Sequence, residues 1–462
     1  MLIRLQEGSM NRMPAVVFIL LLISLAIQAE TADTDFSRHF VDRTLRVDYY
    51  HTGNRETDTI TLDRMYKEGI WAGPVRFLRD PFNNGQYYVK VFDTESGDLL
   101  YSRGFNSYFY EYRTTEPAIQ GRQRTFHESV RIPFPRRPIR LVLQNRDQKL
   151  QLQTVFTLEI DPQNDYFDTA PPAVTVQISN LLQSGHPHHC VDLAMVAEGY
   201  RLEDRQKLER DFARARDVLF SREPYASQRD RFNLYGVFAP SRDAGCDEPR
   251  EKKYRDTAVE SSFNALNLAR YLLVESNQRL QNTLSRVPFD AVIVLVNHER
   301  YGGGGIYNQY CVFTVGSKAS AYLLLHEFGH SFAGLADEYY SSRVSYNEFV
   351  PPGVEPMEPN VTALLDPAQL KWKELVKPET PVPTPWDKER FDKLSTAEQA
   401  GHLERDEYRG VVGAFEGAMY ASTGMFRPTI DCIMFSRHTL DYCPVCRNAI
   451  ERVIRHYCGI DQ

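Results

Sequence analysis

No basic excess, no membrane-length apolar run and no nucleotide-binding loop mark this sequence of 462 residues. Lys and Arg total 54 against 61 Asp and Glu, for a net charge of −7, and such a balance carries no nucleic-acid footprint. The one strongly apolar stretch, Pro14 to Ala29, falls short of the roughly 20 residues that a spanning helix needs, so no stable membrane span is expected. Arg12 precedes that stretch and polar residues from Glu30 follow it, the order of a secretory signal peptide over 1–29. The expected location is therefore secreted, periplasmic or at the cell surface. No cysteine directly follows the expected cleavage point, which argues against a bacterial lipid anchor. Four glycines, 302–305, lack the Lys and Ser/Thr that a phosphate loop requires, and read as a turn before a strand. Cys443-Pro444-Val445-Cys446 has no second CxxC to complete a zinc ribbon and no thioredoxin-like context. Disulfides, with Cys432 as a partner, are the preferred reading of that pair. The total of seven cysteines leaves at least one outside any disulfide.

What is present falls into two halves. Residues 30–165 carry short runs rich in Tyr, Val, Ile and Phe, such as 85–93, 107–114 and 139–145, separated by turn residues. That pattern predicts an N-terminal all-β sandwich domain. Residues 166–187 are polar and proline-bearing and read as a linker. His186, His188 and His189 lie in a polar loop at its end and are assigned no role. From 188 to 462 the period changes to α/β, a mixed sheet with crossover helices. Strands are expected at 191–200, 232–240, 289–297 and 310–316, with helices at 202–220 and 256–273. Residues 341–410 are proline-rich, which excludes long helices there.

Within that second half stands His326-Glu327-Phe328-Gly329-His330, the HExxH pattern. Positions i and i+4 share one face of a helix, so His326 and His330 can aim two imidazoles at one ion. Zinc accepts nitrogen ligands, and a catalytic zinc keeps a position for water. Glu327 then reaches that water as general base. Gly334 is the expected helix stop, after which the chain can fold back with a third ligand. Asp337 is the best candidate, with Glu338 beside it as competitor. The cofactor expected from these residues is Zn2+.

The glycine and the third ligand each lie one place later than in the HExxHxxGxxH pattern of metzincins. HEFGHSFAGLADEY instead resembles the IgA-specific metallopeptidase family, whose motif runs HExxHxxxxLxDEY. A second block, with FEGAxY at 415–420, Phe426-Arg427-Pro428, Asp431-Cys432-Ile433-Met434 and CPVC at 443–446, is similar to the same family, as is EPNVT at 358–362. The resemblance implies a secreted zinc endopeptidase with a metzincin-like catalytic domain. It implies a methionine turn at Met434 beneath the metal and a cleft-edge strand over 306–314 that pairs with substrate. The tyrosine that some metzincins carry two places after that methionine is replaced by Ser436, so Tyr339, Tyr420 and Arg427 stand as candidates for stabilising the transition state. Asn360-Val361-Thr362 is a glycosylation sequon. The substrate expected is a protein or peptide, with immunoglobulin-like proteins among the candidates by family name alone. The rival readings are a secreted adhesion protein with an idle or structural zinc site, and a zinc amidase acting on cell-wall peptides.

Overall fold

The computed structural model of the chain describes residues 35–169, 174–341 and 353–461, so the expected signal peptide lies outside the described residues. The N-terminal part holds two antiparallel sheets. One has the order β2-β1-β5, from β1 (Phe40–Gly53), β2 (Asp58–Lys67) and β5 (Arg124–Pro135). The other has the order β4-β3-β6-β7, from β3 (Tyr87–Asp93), β4 (Leu99–Phe105), β6 (Ile139–Arg146) and β7 (Leu152–Ile160). Leu45, Val47 and Tyr49 of one sheet and Val89, Val91 and Leu141 of the other share a single apolar core. The region is β-rich but not all β. The run 107–114, read as a strand, is a helix over Tyr108–Arg113 whose N-cap Ser107 accepts from the Tyr110 N–H. Its aromatics bury at positions 109 and 112, the helical spacing of three, which overrides their strand propensity.

β1 is buried on both faces. Leu45, Val47 and Tyr49 face the apolar core, while Arg46, Asp48 and His51 are buried as ions or hydrogen-bonding groups. Arg46 pairs with Asp48 at 2.9 Å and Glu68 at 2.8 Å, and donates to Asn282 Oδ1 at 2.9 Å.

The second half is built on a six-stranded mixed sheet of order β14-β15-β13-β9-β10-β8. Its strands are β8 (Gln177–Leu182), β9 (Val191–Glu198), β10 (Phe232–Phe238), β13 (Ala291–Val296), β14 (Gly303–Ile306) and β15 (Tyr310–Thr314). β10, β9, β13 and β15 run parallel, and β8 and β14 close the sheet antiparallel at its two edges. Every residue of β9 is buried, as a central parallel strand covered on both faces requires. One face packs on α1 (Arg205–Leu219) through Leu208, Phe212 and Leu219, and on α3 (Ser320–Ala333) and α4 (Pro444–Tyr457). The other face is covered by a hairpin of β11 (Ser261–Phe263) and β12 (Leu272–Val274) and by the short helix α2 (Asn277–Leu284).

Two sequence expectations change here. The helix expected over 256–273 is that hairpin. Asn264, Leu266 and Asn267 take left-handed backbone at φ of 66°, 51° and 66°, which breaks any helix. Helix formation is delayed to α2, which Ser276 caps. The stretch 166–187, read as a linker, supplies the edge strand β8. Between 353 and 410 the proline-rich sequence permits only short helices, Lys388–Lys393 and Thr396–Arg405.

His51 ties the N-terminal sheet together. Its Nδ1 donates to Glu128 at 2.8 Å and its Nε2 to Asp58 at 2.6 Å, so the ring is held as a cation. Burial alone would lower its pKa, but the two carboxylates outweigh it and lift the value from 6.5 to about 9. The stabilisation is then fully present below pH 6.5 and is lost as pH rises through about 9. His51→Leu leaves two buried carboxylates short of a partner and is expected to cost about 3 kcal/mol near neutrality. Denaturant unfolding from pH 6 to 10 tests both points: the gap between parent and variant should narrow through the alkaline window.

Candidate metal centre

α3 is apolar on nearly every side, with Leu323, Leu324, Leu325, Phe328 and Phe332 buried, so it runs through the core rather than over it. The helix ends at Gly334, whose φ is +60° and whose N–H returns to the His330 carbonyl at 3.0 Å. A Cβ there would stand 2.1 Å from Asn84 Nδ2, which donates to the Gly334 carbonyl. Glycine is required for both backbone conformation and close approach. The chain then doubles back. The Leu335 carbonyl accepts from His330 Nδ1 at 2.6 Å, and two residues later Asp337 meets the histidines.

The donor atoms converge. His326 Nε2 and His330 Nε2 are 3.2 Å apart, and Asp337 Oδ1 lies 3.1 Å from the first and 3.2 Å from the second. Buried as it is, Asp337 Oδ1 accepts no hydrogen bond, while Oδ2 accepts from the Tyr420 hydroxyl. His326 directs its Nδ1 to the Ile433 carbonyl at 3.1 Å, as His330 does to Leu335. Both rings therefore turn their Nε2 atoms into the shared space, the arrangement expected of metal-ligating histidines. Two imidazole nitrogens and an orphaned carboxylate oxygen fit a metal ion, and it is Asp337 rather than Glu338 that stands with the two histidines.

Two family models match the chain. The family described as IgA Peptidase M64 matches residues 179–405 and 393–454, and the family described as Peptidase M64 N-terminus matches residues 35–157. The chain belongs to the M64 family of IgA peptidases. No curated protein matches it. Membership makes the chain a metallopeptidase, acting on protein or peptide substrates.

In this M64 peptidase the loop after α3 is clamped by three distant segments, two through their backbone and one through a side chain. The Met419 N–H donates to the Asp337 carbonyl at 3.0 Å, and the Glu338 N–H donates to the Met434 carbonyl at 2.8 Å. Asn360 accepts from the Ala336 N–H at 2.7 Å and donates to the Ala336 carbonyl at 2.9 Å. Asn360 is fully buried, so the sequon it heads is a structural clamp and not a glycan acceptor. Met434 is buried with its sulfur against Gly329, on the turn of α3 between the two histidines.

Glu327 faces a cavity of about 650 Å³ that His326, His330 and Asp337 also line. Burial raises its pKa, which His326 and His330 partly oppose. Tyr339 and Tyr420 line the same cavity. Arg427 does not, being buried with its guanidinium 3.9 Å from the Phe435 ring centroid, and it drops out as a transition-state stabiliser. The cavity wall also holds Asn84, Tyr110 and Glu111 from the N-terminal half and Arg270, Tyr301 and Arg437 from the second half. No local motif marks these six, because only the tertiary fold assembles them.

The glycine run is not a simple turn. β14 is the outermost strand of the six-stranded sheet and lies against α3. A Cβ on Gly303 would come within 3.0 Å of the Glu327 side chain, and one on Gly305 within 2.5 Å of the Glu327 carbonyl. β15 is paired on both sides, so the sheet edge at the cleft is Gly303–Ile306 and not the whole of 306–314. Gly305→Ala is expected to lower stability by about 1–3 kcal/mol, because backbone stands in the way. Gly69→Ala, where nothing lies within 4 Å, should leave stability nearly unchanged. Denaturant midpoints of the two variants read the difference.

Proposed function

We propose that the chain is a secreted zinc endopeptidase in which His326, His330 and Asp337 hold the metal and Glu327 is the general base. The convergence of two Nε2 atoms on an orphaned, buried Asp337 Oδ1 carries this reading. Separations of 3.1 to 3.2 Å are close to the edge of about 3.3 Å in a tetrahedron with zinc–ligand bonds near 2.0 Å. Three protein ligands leave the remaining position for water or substrate, as catalytic zinc sites do.

Zinc, when bound, supplies a Lewis acid that makes water nucleophilic at neutral pH and polarises the scissile carbonyl. Glu327 accepts the proton of the attacking water and passes it to the departing amine. Its half-buried carboxyl, with a raised pKa, is suited to hold that proton between the two steps. Tyr420 holds Asp337 by its Oδ2 and leaves Oδ1 to the metal. Tyr339 and Tyr420 are the remaining candidates for stabilising the transition state. Peptide substrate is taken to lie against β14, since Gly303 and Gly305 line the cavity; Gly303 is itself bridged to Tyr271, so the strand is not a free edge along its whole length.

The same proposal divides the chain into a signal peptide at 1–29, an N-terminal module and a metzincin-like catalytic module. β8 moves the start of the last to near residue 177. Export is proposed from the sequence of 1–29. No described helix is long and apolar enough to cross a membrane.

Glu327→Ala should reduce cleavage of an unfolded protein such as casein by about 10²–10⁴-fold and leave metal content at the parent level. Retained turnover would remove Glu327 from the mechanism. Tyr420→Phe should weaken metal affinity by about 10–100-fold in a chelator competition, because Asp337 loses the partner that orients it.

A further inference from the structure

A second group of donors lies behind the first. Glu338, Cys432, Cys443 and Cys446 are all buried, and one ligand atom of each lies within 4.8 Å of the others. The three thiols are free, against the disulfides expected from the sequence. Cys432 and Cys446 place their sulfurs 3.9 Å apart, about twice the 2.05 Å of a disulfide bond. The value is close to the edge of about 3.8 Å that a tetrahedral ion with 2.3 Å sulfur bonds would impose. The Cys446 sulfur is 3.2 Å from Glu338 Oε1. The other carboxylate oxygen of Glu338, Oε2, is buried without a hydrogen-bond partner.

The surroundings are built for thiolates. The CPVC segment opens α4, with Cys443 as its N-cap, so the positive end of the helix dipole faces the cluster. The Cys446 N–H donates to the Cys443 sulfur at 3.4 Å, and the Cys443 N–H donates to the Cys432 sulfur at 3.3 Å. Asn360 donates to Glu338 Oε1 at 3.0 Å. The buried guanidinium of Arg427 offsets part of the negative charge. A single disulfide would leave a third thiol and a buried carboxylate with an orphaned oxygen, an expensive arrangement that Arg427 offsets only in part.

We propose that Glu338, Cys432, Cys443 and Cys446 bind a second divalent metal ion, zinc by the chemistry of the donors. Three sulfurs and one carboxylate oxygen complete a tetrahedron, with no position left for water, so the site is structural and not catalytic. It joins three segments: the loop that carries Asp337, the turn that carries Met434 and the first turn of α4. Glu338, the sequence competitor for the first site, belongs to this one. The second site fixes the backbone of Asp337 from behind and stands whether or not the first site is catalytic.

The test is metal content and spectroscopy on the full chain. The parent should hold about two zinc equivalents per chain, and the His326→Ala/His330→Ala variant about one. After cobalt exchange, that variant should keep a near-ultraviolet sulfur-to-cobalt charge-transfer band, and Cys443→Ser/Cys446→Ser should lose it. Because the cysteine variant can fail to fold, the histidine variant carries the decision. A histidine variant that folds without metal and without the thiolate band overturns the proposal, as does a Cys432–Cys446 disulfide found by non-reducing peptide mapping of the parent. A parent that binds only the thiolate-bound ion would support the second site and reject the first, so the two readings fail separately.

Discussion

A buried carboxylate that has no hydrogen-bond donor for one of its oxygens is the constraint on which this structure turns. Asp337 Oδ1 faces two imidazoles in the core of the second half. Leaving such an oxygen unpaired is costly, so the chain must either supply a cation there or hold the group against its own preference. It arranges for both. The two Nε2 atoms face the oxygen because each ring spends its Nδ1 on a backbone carbonyl, Ile433 for one and Leu335 for the other. The loop cannot swing away, since Asn360, Met419 and Met434 grip its backbone.

The N-terminal sheets belong to the same construction. Arg103 of β4 reaches across with one guanidinium nitrogen, donating to the Asn308 side chain at 2.9 Å, the Tyr457 hydroxyl at 2.7 Å and the Asp290 carbonyl at 3.2 Å. Asn308 in turn donates to the Gly104 carbonyl, and Asn84 to the Gly334 carbonyl at the end of α3. The Asn308 contacts fall on the turn between β14 and β15 and the Asn84 contact on the helix stop, both beside the cavity, while Tyr457 and Asp290 tie Arg103 to the end of α4 and the start of β13. The β-rich half therefore does more than pack beside the peptidase. Asn84, Tyr110 and Glu111 make part of the cavity wall, and Glu111 accepts from the Tyr271 hydroxyl across it.

How much of this could be read from sequence follows from how local each determinant is. HExxH is legible because an i, i+4 pair is fixed by helix geometry alone. Gly334 and Asp337 follow from it by a few residues of backbone. The parallel strands announce themselves as continuous apolar runs. The failures share another cause. Residues 256–273 have helical spacing on paper, but their apolar side chains cover a sheet face as a hairpin, and tertiary burial outweighed periodicity. The glycines 302–305 read as a turn because the helix they touch is visible only in space. Asn360 read as a sequon because its partners at 336 and 338 are brought to it by the fold.

Asp337 and Glu338 show the same point at the smallest scale. They are adjacent and chemically alike, and the sequence offers Glu338 as a competitor to Asp337, yet their environments differ completely. Asp337 meets the two histidines of α3, whereas Glu338 meets Asn360 and Cys446. Histidine is the partner on one side and sulfur on the other. A helix that ends in a tight glycine turn, followed by a loop buried on both sides, must dispose of two successive carboxylates in opposite directions. Each needs its own compensation, because the backbone between them is too short and too firmly held for one group of partners to serve both. Moving the loop by even one residue would exchange the two and leave both groups mismatched. The spacing from His330 to Asp337 is therefore set from both sides of the loop, by what Asp337 must meet and by what Glu338 must meet.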